Sequence, residues 1–432
     1  MALAIGGVAL GKGVVLPAHP VLSATASDLL TQPIPDARPN AAQLRRGRSL
    51  VIAGDCMSCH LRAGGAPLAG GLGLNTPFGT IYSSNITGDS ETGIGAWTPD
   101  QFYRAMHDGL GVRGENLYPA FPYPWFRRVS RTDNDAILAW LKTTPAVQYR
   151  PPKNDLSFPL NFRFMVRGWN LLFLDADQLV QKGAKSAEWN RGAYLVEGLG
   201  HCGACHTPKN AFGADKSGQH LHGGTLGDWV APDLTGNPRT GLGRWDADEI
   251  AEFLQTGRNA RTAAGGAMAE VITYSTSLMT PDDLRAIATY LKGQTPSDIA
   301  KHDVPDAGAM RRGAAIYSDV CASCHFENGV GQPRYFPPLG NNAMLQQPDP
   351  TGLLHLILAG SRVGTSPSRP SPLTMPSFAW KLTDSQIADV GTYIRSSWGN
   401  QAAPLKTADV RDVRKRLGLT DLRLTPSSGD RK

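Results

Sequence analysis

The sequence predicts an all-α protein built from three tandem domains joined by long loops. One five-residue phrase occurs three times, as CMSCH at 56–60, CGACH at 202–206 and CASCH at 321–325, and these copies contain all six cysteines. Apolar residues around each copy follow helical spacing, and no stretch shows the sustained alternation that is typical of a strand. A chain of 432 residues is also long enough for two to four domains.

A helix is predicted before each phrase, because an apolar residue, a glycine three positions later and an apolar pair after it recur there. The three sets are Leu44, Gly47, Leu50 and Val51; Trp189, Gly192, Leu195 and Val196; and Met310, Gly313, Ile316 and Tyr317. Glycine weakens a helix, so its repeated position indicates that another backbone packs closely against it.

The expected partner is the last helix of each repeat. These helices read DNDAILAWLK, PDDLRAIATYLK and DSQIADVGTYIR, and they place Trp140, Tyr290 and Tyr393 at matching positions. A threonine precedes each of them, and we expect these three threonines to cap the helices at their N-termini. They are Thr132, Thr280 and Thr383.

The repeats and the segments between them set the predicted domain boundaries. They are a signal-like segment at 1–26, a first domain at 27–143, a connector at 144–186, a second domain at 187–293, a linker at 294–307, a third domain at 308–399 and a basic C-terminal tail at 400–432. Each repeat is about 90 to 110 residues long, which is enough for one small domain.

The N-terminal segment is apolar and ends in Ala24-Thr25-Ala26, the small-residue pattern of a signal-peptide cleavage site. We therefore expect secretion by a signal peptide. The segment lacks the basic region that usually begins a signal peptide, so an apolar terminus without this function is the alternative.

Charge and motif content exclude several classes of protein. The net charge of +6 is mild and lies mostly in residues 404–432, which carry eight Lys or Arg against four Asp, so no nucleic-acid partner is expected. No run of eighteen apolar residues predicts a membrane-spanning helix. No GxGxxG follows a strand, and neither a P-loop nor an HExxH motif occurs. We expect no catalytic residue in this chain, which would not be an enzyme on its own.

Cys-x-x-Cys-His is the sequence that attaches a c-type haem covalently. Two thiols one helical turn apart can each add to one vinyl group of the porphyrin, and the adjacent histidine can donate its imidazole to the iron. The expected thioether positions are Cys56, Cys59, Cys202, Cys205, Cys321 and Cys324, and the expected proximal ligands are His60, His206 and His325. Two alternatives fit less well, because a zinc site needs four ligands and a thioredoxin-like motif usually occurs once in a strand–helix context.

A methionine at the sixth position of the iron raises the reduction potential. Met268 lies 66 residues after Cys202, and Met375 lies 54 residues after Cys321. Both precede the final helix of their repeat, so we expect them to be axial ligands. A methionine that only fills the core is the alternative.

The first repeat breaks this pattern, because Phe121 occupies the corresponding position and cannot bind iron. Either the site is open or holds water, or another residue binds. Met106 is our candidate, since it aligns with Leu254 and Ile357 on a helix that should face the haem. His107 is the alternative ligand, and Met106 could also serve only to line the pocket.

The chain resembles the tri-haem cytochrome c subunits of the membrane-bound periplasmic dehydrogenases of acetic acid bacteria and other proteobacteria. The resemblance covers nearly the whole chain and depends on PFGTIYSSNIT, GIGAW, LYPAFPYP, GHCGACHTP and IRSSWGN. It implies three class I-type cytochrome c domains with three covalent haem c groups. It also implies electron transfer from a catalytic subunit to ubiquinone or a terminal oxidase, at the periplasmic side of the inner membrane, by a peripherally bound chain.

The resemblance also indicates a partner. The segments YPAFPY, GWNLLFL and VEGLGHCGACHTPKNAFGA are closer to the cytochromes that serve molybdopterin dehydrogenases of aldehydes and N-heterocycles, which have a small iron–sulfur subunit. The alcohol dehydrogenase branch has YPAMPYP instead. A pyrroloquinoline-quinone (PQQ) alcohol dehydrogenase or a flavin (FAD) sugar dehydrogenase is the alternative partner. A free-standing electron shuttle and a haem peroxidase-like enzyme are further alternatives.

Two segments are candidates for contact with the membrane surface. A basic amphipathic helix is predicted at 407–418, capped by Thr407, with one face formed by Val410, Val413 and Leu417. It could bind anionic lipid or an acidic partner, or be a solvated helix. The second candidate is WNLLFL at 169–174, which could contact lipid, contact the catalytic subunit, or pack between domains.

Overall fold

The computed structural model describes residues 24–174, 185–300 and 302–419, and it is mostly helical there, as the sequence predicts. Its α-helices are α1 (Ala24–Thr31), α2 (Ala41–Ala53), α3 (Cys56–His60), α4 (Pro99–Asp108), α5 (Tyr123–Phe126), α6 (Arg131–Leu141), α7 (Met165–Phe173), α8 (Ala187–Tyr194), α9 (Cys202–His206), α10 (Ala247–Thr256), α11 (Ala267–Tyr274), α12 (Pro281–Lys292), α13 (Ala307–Val320), α14 (Ala322–His325), α15 (Thr351–Ala359), α16 (Asp384–Ser396) and α17 (Thr407–Arg416). A π-helical turn at Leu195–Leu199 continues α8.

The same helix pair occurs in each repeat, with α2 packed on α6, α8 on α12, and α13 on α16. The predicted close approach at the helix glycines is confirmed. A Cβ atom built on each glycine would lie 1.9 Å from the Ala136 carbonyl oxygen at Gly47, 1.9 Å from that of Ala286 at Gly192, and 2.3 Å from that of Asp389 at Gly313. Such distances leave no room for a side chain, so the glycine sets the spacing of each pair.

The predicted N-caps are confirmed at Thr280 and Thr383, whose side chains accept a hydrogen bond from the third residue of their helices. The prediction is wrong at Thr132, which lies inside α6. Ser130 caps that helix instead, because it has extended backbone geometry and its hydroxyl accepts from the Asp133 amide at 3.2 Å.

The all-α prediction misses seven short strands in the described residues. They are β1 (Gly73–Thr76), β2 (Gly79–Tyr82), β3 (Asp155–Leu156), β4 (Gly224–Leu226), β5 (Trp229–Ala231), β6 (Ser361–Arg362) and β7 (Thr374–Met375). They form three small antiparallel sheets, in which β1–β2–β3, β4–β5 and β6–β7 are neighbours. Strands of two to four residues are too short to produce a recognisable alternation in the sequence.

Buried apolar side chains form two cores. One core runs without interruption through the first and second repeats, from Leu50 and Ile137 to Val196 and Leu291. The third repeat has a core of its own. The first two repeats therefore share one hydrophobic core, from which the core of the third repeat is separate.

The helix α17 belongs to the core of the third repeat. Val410 and Val413 are buried there against α15 and α16. Arg414 is also buried, and its guanidinium binds the Asp384 carboxylate at 2.7 Å. The predicted amphipathic helix is therefore present, but its apolar face is covered by the core of the third repeat, so Val410 and Val413 are not available to a bilayer. The periodicity correctly marked an apolar face, but it could not show which surface covers that face.

Three further predictions concern the cap of α17, the two termini with the connector, and membrane-spanning helices. Thr407 is the first residue of α17 and not its cap, which is Lys406. Most of the signal-like segment, the end of the connector and the end of the basic tail lie outside the described residues, at 1–23, 175–184 and 420–432. In the described part of the chain, no helix combines the length and the apolar character needed to cross a membrane.

Candidate haem centres

The three five-residue phrases form the short helices α3, α9 and α14, respectively. Each of them follows the glycine-bearing helix of its repeat within a few residues. Helical spacing puts the two cysteines of a phrase on the same side, one turn apart. All six cysteines are half-buried and free of disulfide bonds. Each pair of thiols is therefore available for two thioether bonds to one porphyrin.

The three histidines of these phrases are oriented in the same way. In each case the ring Nδ1 lies within hydrogen-bond distance of a backbone carbonyl oxygen. The distances are 2.6 Å from His60 to Ser84, 2.7 Å from His206 to Pro232, and 2.9 Å from His325 to Pro337. A carbonyl can only accept, so Nδ1 carries the proton and donates it. This leaves the lone pair of Nε2 free for a metal, which is the usual arrangement of a metal-binding histidine.

The surroundings of these rings favour the neutral imidazole that a metal needs. Burial lowers the pKa of His60, His206 and His325, and the hydrogen bond to the carbonyl oxygen opposes this effect. The residues of all three phrases thus fit the attachment and ligation of a c-type haem.

The thiols do not fit the two alternative types of site. Burial raises the pKa of Cys56, Cys59 and Cys202 to about 12 and that of Cys321 to about 11, and it also raises the pKa of Cys205. A reactive thioredoxin-like cysteine needs the opposite shift of its pKa. No cluster of three or more His, Cys, Asp or Glu that could hold a metal ion occurs among the described residues.

The first and second phrases lie side by side. Burial is the main cause of the raised pKa of Cys59, and the negative charges of Asp55, Cys56, Cys205 and Glu270 add to it. Two of these groups belong to the second repeat, and α11 packs against α3. The charges that act on the third phrase all come from its own repeat.

Trp125 joins the first repeat to the second phrase, a contact that sequence reasoning missed. Its ring covers Gly203, where a Cβ atom would lie 2.2 Å from the ring. The same ring stacks on His220 at 5.9 Å between centroids. Only glycine fits at this position of the second phrase.

The three methionine candidates lie in different settings. Met106 is buried on α4 in the core of the first repeat. Met268 is the second residue of α11, and Met375 lies in β7 opposite Ser361. Both are half-buried. Phe121 packs edge-to-face on Phe126 at 5.5 Å.

The side chain of His107 contacts two residues of its own helix, α4. Its Nδ1 lies 2.7 Å from the Asp108 carboxylate, and its ring stacks on Tyr103 at 5.0 Å. The Nδ1 contact leaves Nε2 of His107 free, so His107 stays the alternative to Met106 as a ligand of the first iron.

Known proteins match this arrangement. The profile of the cytochrome c family matches residues 310–398. The gluconate 2-dehydrogenase cytochrome c subunit of Pantoea cypripedii is 40% identical over 402 residues, which cover 88% of this chain and 91% of that protein. The chain belongs to the cytochrome c subunits of dehydrogenases. The prediction of an electron-transfer subunit, and not a catalytic one, is thereby confirmed, and so is haem c as the cofactor type.

Two other relatives are named as subunits of different dehydrogenases. The cytochrome c subunit of the quinone alcohol dehydrogenase of Gluconobacter oxydans is 38% identical over 395 residues. The match covers 86% of this chain and 82% of the Gluconobacter protein. A nicotinate dehydrogenase subunit of Pseudomonas putida is 39% identical over 371 residues, which cover 82% of this chain but 30% of that longer protein.

The carbonyl partners of the three histidines were not predicted, although the sequence contains a usable signal. Ser84 precedes NITG and Pro232 precedes DLTG in the same register, and Pro337 precedes PLGN in the third repeat. The shared motif after Ser84 and Pro232 marks this position in the first two repeats, whereas the carbonyl of Pro337 lies only 12 residues after His325 and has no counterpart at the same spacing.

Proposed function

We propose that this cytochrome c subunit carries three covalent haem c groups, one in each of three class I-type domains at 27–143, 187–293 and 308–399. The observation that supports this count is the identical orientation of three histidines, each with Nδ1 bonded to a carbonyl and Nε2 free. A repeat that had lost its haem would have no reason to keep this orientation.

The side chains have distinct roles in this proposal. The six cysteines tether the porphyrins, and His60, His206 and His325 are the proximal ligands. Met268 and Met375 are the sixth ligands in the second and third domains, and Met106 is the candidate in the first. When bound, haem iron supplies reversible one-electron oxidation and reduction. The protein keeps each group in place and tunes its potential through the ligands, burial and hydrogen bonds.

The packing of the repeats supports a relay of electrons between sites. The first and second phrases are close enough for Asp55 and Glu270 to act on the same thiol. Glu252 of the second repeat binds Arg334 and Arg369 of the third. These ion pairs connect the third repeat to the second. The chain can thus collect the two electrons of a dehydrogenase reaction one at a time.

The proposed electron donor is a catalytic dehydrogenase subunit of the molybdopterin type with a small iron–sulfur subunit, acting on aldehydes. Phe121 within LYPAFPYP and the likeness to a nicotinate dehydrogenase subunit support this choice. A PQQ alcohol dehydrogenase or an FAD sugar dehydrogenase is the second candidate. It is favoured by the nearly end-to-end match to the cytochrome c subunits of gluconate and alcohol dehydrogenases.

The proposed electron acceptor is ubiquinone in the inner membrane. The chain would act on the periplasmic side of this membrane, after secretion by a signal peptide, and would be peripherally bound. Such a location matches the covalent haem attachment and the likeness to a subunit of a quinone-linked dehydrogenase.

Purification of the tagged chain from its native membrane tests this function. We expect a large catalytic subunit to co-purify, and we expect its substrate to reduce the haems of the complex. Molybdenum in the complex would identify the first candidate, and PQQ or flavin the second. A chain that purifies alone would indicate a shuttle, and a spectral change with peroxide would indicate a peroxidase-like enzyme.

A further inference from the structure

The connector between the first and second repeats exposes an unusual amount of apolar surface. We name it the α7 face, and its members and exposed fractions are Phe158 (80%), Phe162 (48%), Phe164 (67%), Met165 (40%), Leu171 (87%) and Leu172 (73%). All six lie within fifteen residues of one another, on α7 and the loop before it. Large contiguous apolar surfaces on folded proteins mark sites of contact with a partner or a membrane.

The opposite side of α7 is fixed to the rest of the protein. Val166 is buried, and the Asn170 side chain accepts a hydrogen bond from the Tyr123 hydroxyl of the first repeat at 2.5 Å. The indole of Trp169 donates to the Phe212 carbonyl of the second repeat at 3.0 Å. Both repeats therefore hold this helix.

Leu171 and Leu172 consequently cannot turn inward without breaking these contacts. A helix that is apolar on both sides needs cover on both. In the part of the chain that the structure describes, only one side of α7 is covered by other segments, so the α7 face is open to an external partner.

The charges around this face indicate what covers it. The connector 144–186 contains six Lys or Arg and three Asp, a net charge of +3. Arg163 lies over the Tyr118 ring at 4.8 Å, and Arg167 is exposed at the surface. No carboxylate among the described residues pairs with either arginine. Aromatic and aliphatic residues beside exposed arginines are the composition that binds an anionic lipid surface.

We propose that the α7 face docks on the anionic surface of a phospholipid bilayer, with Leu171 and Leu172 inserted at the boundary of the acyl chains. This rests on the proposed peripheral attachment and names the surface responsible for it. The exposed Phe212 ring stands beside Phe173 at 5.8 Å and extends the face to the loop that follows His206. This loop of the second repeat therefore belongs to the same proposed docking surface.

Flotation of the haem-loaded chain with vesicles tests the proposal. The vesicles contain either phosphatidylcholine alone or phosphatidylcholine with phosphatidylglycerol. We expect binding to the anionic vesicles only. Leu171→Asn with Leu172→Asn should lower the partition coefficient at least about tenfold. Arg167→Gln should lower it about fivefold, because one cation near an anionic surface is removed.

Two controls distinguish the α7 face from other exposed segments of the chain. Ile299→Asn with Val304→Asn changes two exposed apolar residues of the linker and should leave binding unchanged. A chain that ends at residue 419 keeps α17 in its core and removes only residues 420–432, which carry a net charge of +1, and it should still bind. Each variant should retain the wild-type haem spectrum, so a loss of binding is distinct from a loss of haem.

Three outcomes would overturn the proposal. The first is equal binding by the Leu171 and Leu172 variant and the wild type. The second is loss of binding only in the chain that ends at 419. The third is a Leu171 and Leu172 variant that keeps vesicle binding but no longer retains the catalytic subunit, which would make the α7 face a protein–protein interface.

Discussion

Gly192 and Ala286 approach so closely that a Cβ atom on residue 192 would lie 1.9 Å from the Ala286 carbonyl oxygen. Alanine is normally the better helix former, but here its methyl group would push α8 away from α12. We expect Gly192→Ala to lower the free energy of unfolding by about 1–3 kcal/mol. Urea unfolding of the haem-loaded protein measures this loss.

Gly168→Ala is the matched control, because a Cβ atom there meets no atom within 4 Å. It should leave stability unchanged or raise it by up to about 1 kcal/mol. Equal effects of the two substitutions would show that the close approach of the helices is not what requires glycine at 192.

The three phrases differ at their second residue, and the structure gives a reason. Met57 is buried in the first phrase, whereas Trp125 covers Gly203 in the second. Gly203→Met should displace Trp125 and cost about 1–3 kcal/mol in the free energy of unfolding. The half-exposed Ala322 of the third phrase should accept methionine with little loss. Thermal unfolding compares the two variants, and equal midpoints would contradict the role of Trp125.

The proposed axial ligands predict an order of potentials. Replacing Met268 or Met375 with alanine should turn one low-spin haem high-spin and lower its potential by on the order of 0.1 V. Met106→Ala should change the first haem only. EPR spectra combined with redox titration distinguish these effects.

Phe121 cannot bind iron, so a first haem without any axial methionine should have the lowest potential of the three, whereas ligation by Met106 should bring its potential close to the other two. A titration that places the first haem highest would contradict this order. A high-spin signal unaffected by Met106→Ala would reject Met106 as a ligand.

Glu252 links the second repeat to the third by binding two arginines at once. Its carboxylate lies 3.0 Å from an Nη atom of Arg334 and 3.2 Å from one of Arg369. Glu252→Gln leaves both cations without their partner and should destabilise the junction by about 1 kcal/mol. Limited proteolysis within 294–307 should become faster.

Glu115→Gln is the control, since Glu115 pairs with the exposed Arg113 of its own loop. It should not alter cleavage of the linker. Unchanged proteolysis of the Glu252 variant would show that other contacts hold the third repeat in place.

Local patterns predicted the elements that depend on local geometry. The spacing around Gly47 and its counterparts identified the first helix of each pair, and the fixed glycine correctly indicated that another helix packs closely against it. The Thr132 cap was wrong because Ser130, two residues earlier, offers the same chemistry.

Contacts between distant segments could not be predicted in this way. Periodicity marked the apolar face of α17 but not the core that buries Val410. It grouped WNLLFL as one apolar run, whereas the structure turns Trp169 inward and Leu171 outward. The shared core of the first two repeats and the contact of Trp125 with Gly203 depend on how repeats pack, which no single repeat encodes.

The intact mass of the mature protein, together with its haem absorbance, tests the central proposal most directly. Three porphyrins should be bound covalently, and Cys202→Ser combined with Cys205→Ser should remove one of them and leave the other two. A wild-type mass short of three porphyrins, or a double variant that still carries three, would contradict it.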